Sequence, residues 1–277
     1  MEKLSSLLEK MDRSAIGAEL PMRLAGLPKK LGLDIAGAYG SVMSRDSGAK
    51  APPLEAAVKV LQKLGLEPGY LAGDEPCCGA PLYSTGLHED FAANARRGYD
   101  KFKAAGVREI IGLVPSCTYA LRDIFPDFVE GYDIKVRHFA EVVAVRLASL
   151  ELKYPENVKV TYHDPCQMAR YLKLVDEPRA ILKAIKNIEL VEPDWTKGEW
   201  ATCCGGGGGF EVVFPELSRM LAANRAGELL ETGAEIIVTS CPGCALQLRA
   251  GLEAQKAGGV EVLDLSQVVA TAMGIEI

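Results

Sequence analysis

Short apolar runs alternate along this chain with longer stretches whose apolar residues recur at helical spacing. Residues 33–39 read as a buried strand, and 53–63 carry helical periodicity up to Gly65, where a helix would stop. A short strand is expected before Cys77, then a helix over about 88–105 and a strand over 109–114. Later strands are expected at 159–162, 189–192 and 235–239, with helices between them. Strands of this length alternating with helices predict an α/β fold with mainly parallel sheets flanked by helices.

The pattern repeats. Cys77-Cys78-Gly79 recurs as Cys203-Cys204-Gly205, 126 positions later. Ser116-Cys117 recurs as Ser240-Cys241, 124 positions later, and the stretch 136–144 recurs at 262–270. Three landmarks at a nearly constant offset imply two copies of one unit. The expected organisation is an N-terminal extension (1–31), a first unit (32–150) and a second (151–277), tandem and pseudo-symmetric.

Composition narrows the function. The 277 residues carry a net charge of -6, so no basic excess exists to displace counterions from nucleic acid. No apolar run approaches the roughly 18–20 residues of a membrane span, and residues 1–13 look like a short charged amphipathic helix rather than a secretory signal. The expected compartment is the cytoplasm, with docking onto a membrane-bound complex still compatible. Eight cysteines are then conspicuous, since disulfides are disfavoured in a reducing compartment. Metal ligation or redox chemistry is the better reading.

In the second unit, 36 residues separate Cys166 from Cys203, another 36 separate Cys204 from Cys241, and Cys241 and Cys244 form a C-x-x-C. Thiolates are the soft ligands that iron–sulfur clusters select. A structural zinc site and buried unliganded thiols are the alternatives. Zinc usually closes with paired C-x-x-C-like ligands, which a vicinal pair plus a distant single cysteine fits poorly. The run Gly205 to Gly209 removes side chains where backbone approaches a bulky cofactor, and the Gly205 and Gly206 amides are candidate donors to sulfur. The run lacks the spacing and lysine of a nucleotide loop.

These residues carry a family resemblance. Cys166, Cys203-Cys204-Gly205 and Cys241-x-x-Cys244 resemble the CCG domain found in heterodisulfide reductase B and D subunits, and in related subunits of lactate, glycolate and glycerol-3-phosphate oxidation. The resemblance covers roughly residues 33–277 as two CCG units. The stretches 163–166, 203–209 and 241–244 are closer to the heterodisulfide reductase branch. It implies an oxidoreductase subunit holding a [4Fe-4S] cluster, of the non-cubane kind, on the five cysteines. The first unit is degenerate: Cys77, Cys78 and Cys117 remain, but Ser41 and Ala120 stand where cysteines belong. A second cluster there, another metal, or nothing are all compatible with three thiols.

His163 precedes Cys166 and is a candidate to tune the site or protonate a departing thiolate. His138, with Asp264 as its counterpart, is a candidate cleft residue or helix cap. The charged stretches 92–99 and 216–231 read most simply as solvated faces. No flavin or nicotinamide fingerprint and no ferredoxin-type cysteine run is present. Electrons would therefore arrive from ferredoxin-like and flavoprotein subunits of a hetero-oligomer, and a small disulfide or thiol is the expected substrate class. The rival expectation is an electron-transfer subunit linking a flavoprotein to a ferredoxin-like or quinone-linked partner.

Overall fold

A computed structural model describes residues 52–277. The expected strand at 33–39, the extension 1–31 and Ser41 lie outside the described residues.

The first half opens with helix α1 (Pro53–Lys63), whose proline sits in the first turn and whose buried face is Ala56, Ala57, Val60 and Leu61. Then come α2 (Ala80–Ser84), α3 (His88–Ala104), β1 (Glu109–Gly112), α4 (Pro115–Tyr119), α5 (Phe125–Phe128), β2 (Lys135–His138) and α6 (Phe139–Ala144). A π-helical turn, Ala120–Ile124, joins α4 to α5. The strand expected before Cys77 does not form, and that segment holds only a 3-10 turn, Ala72–Asp74. Pro68, Gly69, Gly73, Asp74 and Pro76 crowd it with residues that weaken a ladder.

The second half runs β3 (Lys153–Tyr162), a π-helical turn at Gln167–Tyr171, α7 (Asp176–Ala184), β4 (Lys186–Leu190), α8 (Phe210–Val213) and α9 (Pro215–Leu230). It ends with β5 (Ile236–Thr239), α10 (Pro242–Ala254), β6 (Glu261–Asp264) and α11 (Leu265–Ala272). The strand expected at 189–192 starts earlier, because the Lys186 amide donates to the Leu152 carbonyl and Lys153 pairs with Lys186.

Every described strand pairing is parallel. β1 pairs with β2 in one sheet, and the other has the order β4-β3-β5-β6. The β1–β2 pair and the β5–β6 pair occupy equivalent places in the two copies. The copies also interlock: α1 of the first packs on α11 of the second, and α6 of the first packs on α7 of the second. Lys59 and Lys63 donate to the carbonyls of Glu276 and Met273, and Ser266 donates to the Pro53 carbonyl. One apolar core therefore joins Ala56, Val60, Phe139 and Val143 to Tyr162, Ile181, Val238 and Val269. This exchange fixes the two halves against each other and presents the carboxyl ends of their strands, where open α/β sheets place their sites.

The equivalent helices α6 and α11 are capped alike. His138 Nδ1 accepts from the Ala140 amide at 3.2 Å, while Glu141 accepts from the His138 amide. Asp264 accepts from the Ser266 amide, and Gln267 accepts from the Asp264 amide. His138 thus caps α6, with its ring buried and its Nδ1 accepting from backbone.

The two caps respond to pH with opposite sign. Burial pushes His138 from 6.5 down to about 4, so in that window the unfolded chain binds a proton that the folded chain refuses. Its contribution is full above pH 6.5 and lost as pH falls toward 4. Burial pushes Asp264 from 3.8 up to about 6, so there rising pH costs stability instead. His138→Asn keeps a capping acceptor without the titration. The stability advantage of wild type over this variant should grow by about 1.4 kcal/mol per pH unit between pH 4 and 6.5. Urea unfolding at a series of pH values reads this, and a pH-independent difference would contradict it.

Candidate metal centre

Three stretches of the second half bring the five cysteines to one place. Cys166 follows the end of β3, Cys203 and Cys204 lie in the loop between β4 and α8, and Cys241 and Cys244 open α10 after β5. The ends of β3 and β5 are tied together there, because the Tyr162 hydroxyl donates to Ser240 Oγ at 3.0 Å. Cys204 Sγ lies 3.2 Å from Cys244 Sγ. The donor atoms of His163, Cys204 and Cys244 all fall within 4.8 Å of one another. Cys204 and Cys244 are buried, Cys166 and Cys241 half-buried, and Cys203 exposed, so the site reaches the surface along one side.

Each of the five thiols feels at least two of the others. Cys203 first, then Cys244, with His163 nearby, hold the Cys204 thiol far below its usual range despite burial. Hydrogen bonding with Cys244 lowers Cys241. Donation to Cys204 raises Cys203, and contact with Cys204 and Cys241 raises Cys244. Cys166 is raised by burial and by the neighbouring sulfurs of Cys204 and Cys241. Thiolate character therefore concentrates at the buried centre of the group, as a soft-metal site requires.

The surrounding chain holds these sulfurs in place. Asp164, two residues before Cys166, is gripped by both terminal nitrogens of Arg179 at 2.8 Å and accepts from the Gly198 amide at 2.8 Å. Arg179 also binds Glu192 at 2.7 Å. The Gly205 amide donates to Cys203 Sγ at 3.3 Å. Gly205 has φ +86°, and a Cβ there would run into the Ser218 carbonyl oxygen of α9. Gly206 packs against Gln247 of α10.

The first half makes a matching turn with fewer donors. The Gly79 amide faces Cys77 Sγ at 3.5 Å, and Cys78 Sγ lies 2.9 Å from Cys117 Sγ. Ala120, fully buried, stands where Cys244 stands in the second half. Donation to Cys117, followed by burial, raises Cys78, and hydrogen bonding to Cys78 raises Cys77. Among the described residues, Cys77, Cys78 and Cys117 do not form a group of metal-donor atoms within 4.8 Å of one another.

The structure corrects one expectation. The helix 216–231 reads as a solvated face, yet Arg225 is 0% exposed and its Nε donates to His163 Nδ1 at 3.0 Å. Nη1 also reaches the Thr196 carbonyl and Glu228. The one available signal is an arginine among small residues, Ala222, Ala223 and Ala226, which leaves a helix face able to pack closely.

The likeness to known proteins is consistent with this geometry. The family model for the cysteine-rich domain, CCG, matches residues 42–122 and 160–249. The chain is 32% identical over 228 residues to the D subunit of the dihydromethanophenazine:CoB--CoM heterodisulfide reductase of Methanosarcina acetivorans, covering 80% of this chain and 55% of that one. It is 29% identical to the probable iron-sulfur-binding oxidoreductase FadF of Bacillus subtilis, covering 84% of this chain and 33% of that one. The chain thus spans about half the length, or less, of these relatives. A hypothetical protein from Helicobacter pylori shares the fold at a TM-score of 0.57 and 17% identity, over 81% of this chain and 46% of that one. With the family model matching twice, once in each half of an α/β chain whose own sequence repeats, this protein belongs to the cysteine-rich CCG domain family.

Proposed function

We propose that this chain is an iron–sulfur redox subunit of a heterodisulfide-reductase-like complex, with Cys166, Cys203, Cys204, Cys241 and Cys244 holding a [4Fe-4S] cluster of the non-cubane kind. The observation that carries the reading is the convergence of five sulfurs from three distant stretches, with thiolate character at the buried centre. The donor set fits the group: all five are sulfur, the soft ligand such clusters take. When bound, the cluster supplies one-electron redox chemistry beside a surface-accessible sulfur site.

The chain's own residues do the rest. Cys203 marks the open side, where a small disulfide or thiol can approach. Asp164, locked by Arg179, fixes the approach of Cys166, and the Gly205 amide supports Cys203. Electrons pass singly between this site and a flavoprotein or ferredoxin-like subunit. No helix among the described residues is long and apolar enough to cross a membrane, and we place the chain in the cytoplasm, bound to such partners.

A second reading is favoured by one observation. Ala120 removes a ligand from the first half, so symmetric attack on a disulfide by two complete sites is not available. The chain would then relay electrons, without a substrate of its own, between a flavoprotein and a ferredoxin-like or quinone-linked partner. Anaerobic purification with iron and sulfide counting, followed by electron paramagnetic resonance with and without added disulfide, separates the two. A cluster signal that shifts with disulfide supports the catalytic reading. An unchanged signal leaves the relay, and a preparation free of iron sinks both.

A further inference from the structure

Arg225 sits within α9 with its side chain sealed from solvent. A guanidinium keeps its protons at every working pH. Its Nε therefore donates to His163 Nδ1 across 3.0 Å, and the ring's own proton must sit on Nε2. That nitrogen is buried and has no hydrogen-bond partner, and a ring nitrogen of His163 lies within 4.8 Å of the sulfurs of Cys204 and Cys244; with Nδ1 taken by Arg225, Nε2 is the one left for them. Arg225 is itself clamped by the Thr196 carbonyl at 2.9 Å and Glu228 at 2.8 Å, so the ring cannot pull it out of place cheaply. In the first half the stretch Phe91-Ala92-Ala93-Asn94 matches Leu221-Ala222-Ala223-Asn224 and puts buried Ala95 in the place of Arg225. The arrangement belongs to the half with the complete cysteine set.

We infer that Arg225 is a positioning residue: it fixes His163 as an Nε2–H donor to the Cys204 sulfur, and so sets the reduction potential of the site. The redox part of this inference rests on the iron–sulfur reading; the ring orientation does not. A donor on a ligand sulfur draws off negative charge and favours the more negative, reduced state.

The test uses the full chain, purified anaerobically. Loss of one such hydrogen bond shifts the equilibrium between reduced and oxidised cluster by about tenfold, or about 59 mV downward for a one-electron couple. His163→Leu and Arg225→Met should each show this shift, and the double variant should show no more than either. His163→Gln should restore the potential, because its amide can keep an N–H toward sulfur while its oxygen accepts from Arg225. Nitrogen-15 spectra of labelled histidine should show the Nε2–H form in wild type and a tautomer mixture in Arg225→Met. Should Arg225→Met not fold, Arg225→Lys takes its place, with the charge kept and the same shift expected. Unchanged potentials would overturn the inference, as would additive shifts, which would mean Arg225 acts by charge alone. If wild type binds no iron, the cluster reading fails, while the nitrogen-15 result still decides whether Arg225 sets the ring.

Discussion

Cys204→Ala protein is expected to lose its bound iron while keeping its fold. Cys204 is the hub of the site: its sulfur lies 3.2 Å from that of Cys244 and within 4.8 Å of a His163 ring nitrogen, and it is 3% exposed. Removing a partner outside the ligand sphere commonly costs 10- to 100-fold in metal affinity, so removing the central ligand should lower iron retention by more than about tenfold. The cost to the fold is small by comparison. Alanine leaves a cavity of one sulfur beside a glycine loop, worth about 1 kcal/mol, and β3, β5 and α10 keep their pairings. Iron and sulfide content, with circular dichroism as the control for folding, reads both. The companion variant Cys117→Ala should leave iron content unchanged, because Cys77, Cys78 and Cys117 form no group of donor atoms within 4.8 Å of one another and Ala120 stands in place of a further donor. Equal iron loss in both variants would show that each half holds metal.

Much of this arrangement is readable in the chain itself, and each miss has a physical cause. The repeat offset finds the two copies, because a duplicated unit preserves local landmarks such as Cys77-Cys78-Gly79 and Cys203-Cys204-Gly205. It also pairs His138 with Asp264, and the structure caps α6 and α11 with them. α1 and α3 are legible from periodicity because each buries a single face. The segment before Cys77 is not, since Pro and Gly interrupt its apolar residues and it makes only a 3-10 turn. The reciprocal packing of α1 on α11 and α6 on α7 is invisible for a different reason. Local pattern says that a helix face is apolar, not which helix covers it. Arg225 is misjudged on the same ground: charge in a helix suggests solvent, and its partner His163 lies 62 residues away with no spacing to announce it. Asp164 is visible only as part of the His163-Asp164-Pro165-Cys166 stretch, while Arg179, 15 residues on, is what makes it structural.

That ion pair carries the second large effect. Arg179→Met should destabilise the chain by about 3–5 kcal/mol, because it strands a buried charge rather than merely losing an attraction. The Asp164 side chain is 1% exposed, and both of its oxygens are held by Arg179, with only the Gly198 amide left once the arginine is gone. Glu192, 15% exposed, loses its partner at 2.7 Å in the same change. A surface ion pair would give no such effect; Lys173 with Glu199, both more than half exposed, is the internal comparison, and Lys173→Met should cost less than about 1 kcal/mol. The consequence reaches the metal centre, since Asp164 is two residues from Cys166 and orients the turn that carries it. Urea unfolding of both variants checks the energies. Iron retention at a denaturant concentration where Arg179→Met is still folded checks the coupling. If Arg179→Met proves no less stable than Lys173→Met, the Asp164 side chain does not depend on Arg179, and it does not hold Cys166 in the way its geometry indicates.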